Sequence, residues 1–181
     1  MTFDTKPDNG DPATGSSLPP RAPAQDPRDL RKAFGRFATG ITVVTAATPD
    51  GPLGITANSF SSVSLEPAMV LWSIGRHSRR FDAFARADFQ AIHVLGEDQA
   101  DLCRRFSHTG IDFTGLEITY NRQRVPLLSG TLARFEVEIV DRIDAGDHVI
   151  QLGRVQRLSL ADGEPLVFAA GRYGRLAGAP S

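Results

Sequence analysis

Alternating apolar and polar residues mark the clearest predicted strand in the C-terminal half of the chain. From residue 133 the apolar set is Phe135, Val137 and Ile139 and the polar set is Arg134, Glu136 and Glu138. A period of two puts each set on its own face, so this strand is predicted to be half-buried. The turn-forming residues 144–147 then lead into a second predicted strand at 148–158.

Helical spacing is clearest near the start of the chain. Asp26 can cap a helix, and Pro27 suits the first helical position. The apolar residues that recur at helical intervals are Leu30, Ala33, Phe34, Phe37 and Ala38. This pattern predicts a helix that ends at Gly40.

The other predicted elements are short, and most are strands. Strands are predicted at 41–47, from Leu53, at 69–74, at 89–95 and at 166–170. A turn at 49–52 joins the first two, Ser78 and Asp98 are predicted helix caps, and residues 107–129 have no clear pattern. Many strands and few helices predict a mainly β fold, an antiparallel barrel or sandwich, rather than a βαβ sheet.

Length and composition indicate one folded domain. The chain has 181 residues, of which 41% are hydrophobic. Residues 1–25 contain five prolines and few large apolar side chains, so we expect a disordered tail there. The predicted domain spans residues 26–176, and residues 177–181 are expected to be a flexible end.

Charge and cysteine content indicate which classes of binding partner and which cellular compartment to expect. The net charge of -1 gives no global attraction to nucleic acid or to an anionic membrane. The chain has no stretch of transmembrane length and no signal-peptide core. Its single cysteine, Cys103, forms no internal disulfide, and zinc-ligand spacing is absent. We therefore expect a cytoplasmic protein without a metal site, and a buried, unreactive Cys103.

The most unusual segment is residues 54–64, where hydroxyl and amide side chains crowd together between strong β-formers. Such groups, with backbone N–H groups, can hold a phosphate and the polar edge of a heterocycle without net charge. On composition alone, a solvated strand and loop is the alternative interpretation.

Two shorter segments are further candidates. Ser78, Arg79 and Arg80 lie at a predicted helix start, which favours an anion, although a solvated helix start with two ordinary surface arginines is the commoner case. His148 follows Gly146 and Asp147 where a turn enters a strand, so its imidazole can act as donor, acceptor or acid. By itself a lone histidine is more often structural.

Three motifs together resemble the short-chain flavin reductases, the reductase partners of two-component flavin monooxygenases. They are FATGITVVT at 37–45, GITANSFSSVSLEP at 54–67 and GDHVIQLGRV at 146–155. The resemblance runs through residues 28–175 in order. It implies an FMN-binding antiparallel split β-barrel that forms a homodimer.

The resemblance also implies a set of binding residues. These are Thr56, Ala57, Asn58, Ser59, Phe60, Ser62 and Val63, then His77, Ser78, Arg79 and Arg80, and finally Gly171, Arg172 and Tyr173. The first group would hold the flavin ring and ribityl chain, with Ser78 and Arg80 near the phosphate. The last group would lie near the pyridine nucleotide, and His148 would act on the nicotinamide side.

One departure from the family concerns residues 110–115. Many relatives have a Lys or Arg between the positions of Asp112 and Phe113, and this chain has none. His108 or Arg105 is the expected replacement for the missing positive charge.

The implied function is transfer of hydride from NADH or NADPH to FMN or FAD, with reduced flavin supplied to a monooxygenase. That chemistry belongs to the cofactors, so the absence of an acid–base motif does not exclude an enzyme. One alternative is a split-barrel protein that stores or senses FMN; the other is a β-barrel interaction module. The His148 segment favours the reductase, because a protein that binds flavin alone needs no nicotinamide site.

Overall fold

A computed structural model describes residues 26–176, and it is mainly β with short helices. The predicted tail at 1–25 and the predicted flexible end at 177–181 lie outside the described residues. The helices are α1 (Pro27–Phe34), α2 (Phe81–Arg86) and α3 (Ala100–His108). The strands are β1 (Thr39–Gly40), β2 (Thr42–Thr48), β3 (Gly51–Ala57), β4 (Ser61–Leu65), β5 (Ala68–Gly75), β6 (Phe89–Val94), β7 (Ile118–Tyr120), β8 (Pro126–Leu128), β9 (Ala133–Ala145), β10 (His148–Leu160), β11 (Val167–Ala169) and β12 (Arg172–Gly174).

Seven of these strands form one antiparallel sheet in the order β3-β2-β6-β9-β10-β5-β4. The long hairpin β9–β10 and the hairpin β2–β3 confirm the predicted turns at 144–147 and 49–52. Strand β4 and the loop before it match the strand and loop of the alternative interpretation: the polar run pairs with β5, with a bulge between Ser62 and Ser64. The predicted cofactor segment is therefore an edge strand together with the loop before it.

Alternation along the strands places one apolar set on the inner face of the sheet, and Phe84 of α2 packs into the same core. The buried members are Val44, Ala46, Val70, Trp72, Ile74, Phe84, Ile92, Val137 and Ile139. The rings of Trp72 and Phe84 meet edge to face at 5.3 Å. The indole N–H of Trp72 donates to Oε1 of Gln90 at 2.8 Å, so these two buried polar groups are paired with each other.

A second core lies where α3 packs against β2. It contains Ile41, Val43, Leu95, Cys103, Phe106, Leu128 and Leu166. Cys103 is fully buried, as expected from its helical position between apolar neighbours. None of the helices among residues 26–176 is long and apolar enough to cross a membrane.

Three predicted helix boundaries were wrong. Helix α1 ends at Phe34, not at Gly40, because Gly35 caps it and the carbonyl of Gly35 accepts from the N–H of Ala170 at 2.7 Å. Helix α2 starts after Arg80, two residues beyond Ser78, and α3 starts after Gln99 rather than Asp98. The Oγ of Ser78 instead accepts from the Arg80 N–H at 3.2 Å, which stabilises the turn before α2.

We predict that His93 makes the protein sensitive to acid. Its Nδ1 donates to the Val43 carbonyl at 3.0 Å, its Nε2 accepts from the Leu128 N–H at 3.1 Å, and burial lowers its pKa to about 4. The unfolded chain takes up this proton near pH 6.5, so the stabilising effect is complete above that pH and is lost as the pH falls toward 4. Between pH 7 and pH 5 the loss is about 2 kcal/mol.

The measurement is urea denaturation of wild type and His93→Leu at both pH values. The variant is less stable at pH 7, because two buried backbone groups lose their partner. Its unfolding free energy falls about 2 kcal/mol less than that of wild type on acidification. Equal losses in the two proteins would refute the assignment.

Candidate functional site

The cradle, residues 56–64, is held in place by two of its own hydroxyl groups. Oγ1 of Thr56 donates to the Cys103 carbonyl at 2.7 Å and so ties β3 to α3. Oγ of Ser59 accepts from the N–H of Ser73 at 3.0 Å and donates to the Ser73 carbonyl at 2.9 Å. These hydroxyls therefore fix the shape of the segment before any ligand arrives.

Other side chains of the cradle are not used by the fold and can contact a ligand. The side chains of Asn58 and Ser62 are exposed and form no hydrogen bond within the described part of the chain. Val63 is 48% exposed at the β4 bulge. Phe60 is not available in this way, because its ring stacks on that of Phe135 at 5.3 Å and packs against the core that contains Trp72 and Phe84.

Beside the cradle lies a groove of about 710 Å³, which we call the arginine groove. It is lined by Leu53, Ile55, Thr56, Ser78, Arg79, Arg80 and residues 107–111. The structure therefore brings two predicted segments together, the start of the cradle and the turn before α2. Its lining combines apolar side chains with hydrogen-bond donors.

The two arginines in this groove differ in what they contact. The guanidinium of Arg80 donates to the carbonyls of Phe106, at 2.8 Å, and Ser107, at 3.5 Å, and burial lowers its pKa. It therefore holds the end of α3. Arg79 is exposed and has no hydrogen-bond or ion-pair partner between residues 26 and 176. Arg79 is the guanidinium left for an anion.

The loop 107–111, which had no predicted role, forms the far wall of the arginine groove. The Gly54 N–H donates to the Gly110 carbonyl at 2.8 Å. A Cβ on Gly110 would lie 2.6 Å from the oxygen of Gly54, so only glycine permits this approach. Gly110 was the available sequence signal, since a glycine after a helix can mark close backbone contact.

Of the two expected replacements for the missing positive charge, only His108 lines this groove. Nη1 of Arg105 donates to the Thr114 carbonyl at 2.7 Å, and its Nε is 3.8 Å from Asp112. Arg105 thus organises the loop that follows.

His148 is the first residue of β10 and pairs with Gly75 at the end of β5. Its Nδ1 lies 2.8 Å from Oδ1 of Asp147, and this hydrogen bond is the main cause that lowers the Asp147 pKa. The N–H of Arg76 donates to the Asp147 carbonyl at 2.8 Å, so the turn before α2 lies beside Asp147. The nicotinamide-side motif and the predicted phosphate turn are therefore neighbours.

The aromatic groove, of about 720 Å³, lies on the other side of the cradle. Its lining includes Phe34, Phe37, Asn58, Ser59, Phe168 and Gly171. The ring of Tyr173 lies 5.3 Å from that of Phe168, and a hydrogen bond with Cys103 raises the Tyr173 pKa. The side chain of Arg172 is exposed and makes no hydrogen bond to residues 26–176.

The family model for the flavin reductase like domain matches residues 34–177, which contain the cradle, the arginine groove, His148 and all of the aromatic groove except Arg31. The chain belongs to this flavin reductase family. The split-barrel architecture expected from the three motifs is confirmed, because solved flavin reductases share this fold.

Several similar flavin reductases have assigned activities. The FMN reductase (NADH) SmoA of Agrobacterium fabrum is 50% identical over 151 residues, which are 83% of this chain and 87% of that protein. The reductase subunit HsaB of a flavin-dependent monooxygenase from Rhodococcus jostii is 36% identical over 84% of this chain and 79% of its own. The NADH:FAD oxidoreductase SgcE6 of Streptomyces globisporus, solved with NAD and FAD fragments, has a TM-score of 0.80 at 34% identity and covers 86% and 98% of the two chains.

We predict that Arg80 contributes to stability and that Arg79 does not. Arg80→Ala removes a charged donor from two carbonyls and is expected to lower the unfolding free energy by about 1–2 kcal/mol. Arg79→Ala is the matched control, with a change within about 0.5 kcal/mol. Urea denaturation of the two variants measures the difference, and equal stabilities would contradict the assigned roles.

Proposed function

We propose that this chain is an NAD(P)H:flavin oxidoreductase that supplies reduced flavin to a partner monooxygenase. The observation behind the proposal is the position of the cradle between two grooves. One groove presents the guanidinium of Arg79, which is unpaired within residues 26–176, and the other is lined by aromatic rings, Arg31 and Gly171. The names of the relatives, an NADH-dependent FMN reductase and a monooxygenase reductase subunit among them, support this assignment.

The available side chains fit a flavin. The Asn58 amide and the Ser62 hydroxyl, neither bonded within the described chain, suit the polar edge of the ring and the ribityl hydroxyls. Apolar Leu53 and Ile55 line the arginine groove, and Arg79 suits a phosphate. Thr56 and Ser59 hold the cradle rigid.

When both are bound, the nicotinamide and the flavin supply the hydride transfer itself. The contribution of the protein is to bind the two rings in one orientation and to limit water around them. His148 fits a docking role. With Nδ1–H donated to Asp147, its Nε2 is left as an acceptor for an amide N–H of the nicotinamide carboxamide. No proton transfer by His148 is required.

The active form is proposed to be a homodimer in the cytoplasm. Helix α1 has no buried residue, and Phe34 and Phe37 are 68% and 79% exposed beside the aromatic groove. An eight-residue helix gains little stability without packing, so a second copy of the chain is the proposed cover. Sedimentation velocity checks this, and a fully active monomer at micromolar concentration would contradict it.

The proposed function is tested by anaerobic reduction of FMN, FAD and riboflavin with NADH and with NADPH. We predict flavin-dependent nucleotide oxidation by wild type. Arg79→Ala is expected to weaken FMN binding about tenfold, since a charge-assisted contact to phosphate is lost. Riboflavin, which has no phosphate, is the matched ligand and should bind both proteins equally.

Two results would contradict these expectations. Tight flavin binding without turnover would favour the alternative of flavin storage or sensing. Equal losses for FMN and riboflavin would remove Arg79 from the phosphate site.

For His148→Ala we predict a selective loss of nucleotide docking. One lost hydrogen bond in a partly desolvated site costs about 1–3 kcal/mol, or roughly 5- to 150-fold in the nucleotide dependence. Single-turnover reduction over a range of NADH concentrations measures that loss, and fluorescence titration measures flavin affinity, which should stay within about twofold. Normal nucleotide dependence with weakened flavin binding would instead place His148 on the flavin side.

A further inference from the structure

A second groove adjoins the arginine groove across Arg79 and Arg80. This hairpin groove, of about 610 Å³, lies between the β2–β3 turn and α2. Leu53, Ile111 and the two arginines line both grooves, so they form one continuous surface. Pro49, Asp50 and Pro52 line this groove from the β2–β3 turn. Asp82, Ala83 and Arg86 line it from α2.

The lining of the hairpin groove suits a nucleoside. Pro49 and Pro52 provide flat apolar surface, and Ile111 is 75% exposed at the junction of the two grooves. A large exposed aliphatic side chain beside two prolines is a surface on which a planar base can lie. The carboxylates of Asp50 and Asp82 are acceptors for the hydroxyls of a ribose.

The positive charge of Arg79 is the expected binding position for the phosphate groups of such a ligand, at the junction of the two grooves. Arg80 is engaged with the end of α3, and Arg105 is engaged with the loop at 112–114. Arg79 lines both grooves and is unpaired within residues 26–176. A diphosphate at Arg79 would therefore have one half of its ligand in each groove.

We propose that the hairpin groove binds the adenylate half of FAD and makes FAD the preferred flavin of this protein. The inference rests on the proposed function, because it requires the flavin phosphate at Arg79. FMN ends at that phosphate, whereas FAD continues past it, and the hairpin groove is the surface that continues from it. The adenylate of the nicotinamide nucleotide is the competing occupant, and the variants below distinguish the two.

Ala83 offers a direct test, because it lines the hairpin groove on α2 and is not among the buried residues of that helix. Ala83→Trp fills the groove, and Ala83→Glu adds a negative charge against the diphosphate. Ala85→Glu is the matched control, with the same charge on the same helix but outside the lining of this groove. The readout is the ratio of the Kd values for FMN and FAD, measured by fluorescence titration without nucleotide.

Wild type is expected to bind FAD more tightly than FMN. Ala83→Trp should lower this preference at least tenfold while its FMN Kd stays within about twofold, which also shows that it folds. Ala83→Glu should weaken FAD binding more than FMN binding. The Ala85→Glu control should keep the wild-type ratio. An unchanged ratio in both Ala83 variants, or equal losses for FMN and FAD, would overturn the inference.

Two further results separate this inference from the function on which it rests. An Ala83 variant with a raised NADH requirement and a normal FAD Kd would assign the groove to the nicotinamide nucleotide and overturn the inference alone. Failure of wild type to bind FMN, FAD and riboflavin would overturn the proposed function and the inference together.

Discussion

Phe106 of α3 packs against the bare backbone of Gly54 in β3. A Cβ at Gly54 would lie 2.5 Å from the Phe106 ring, so no other residue allows this approach without moving the helix. The Thr56 hydroxyl on the Cys103 carbonyl and the Arg80 guanidinium on the Phe106 carbonyl fix the same helix at two more points. Because the loop 107–111 follows directly from α3, the wall of the arginine groove depends on this packing.

Side chains around the cradle divide into those that build it and those that remain for a ligand. Thr56, Ser59 and Arg80 use their polar atoms on neighbouring backbone, whereas Asn58 and Arg79 do not within the described residues. A site whose supporting hydrogen bonds are already made loses little conformational entropy on binding. This arrangement suits a reductase that holds two planar cofactors and leaves the chemistry to them.

His93 and His148 have different roles because one is buried and the other is exposed. His93 is fully enclosed, its two nitrogens are both paired with backbone groups, and it stays neutral well below pH 6. His148 is exposed at a strand end, where Asp147 orients its ring and Nε2 has no hydrogen-bond partner among residues 26–176. The same side chain therefore links β2 and β6 to β8 in one place and is offered to a ligand in another.

Local pattern in the sequence determined the mainly β architecture, the β2–β3 and β9–β10 hairpins and the polar run of the cradle, since alternation and turn residues act over a few positions. Tertiary structure alone decided the end of α1, where the N–H of Ala170 bonds to Gly35, and the unequal roles of Arg79 and Arg80. It also placed the loop 107–111 opposite Thr56. The physical reason is that hydrogen bonds between residues 26 to 135 positions apart decide which polar groups are consumed by the fold. Nothing in the local sequence distinguishes a consumed donor from a free one.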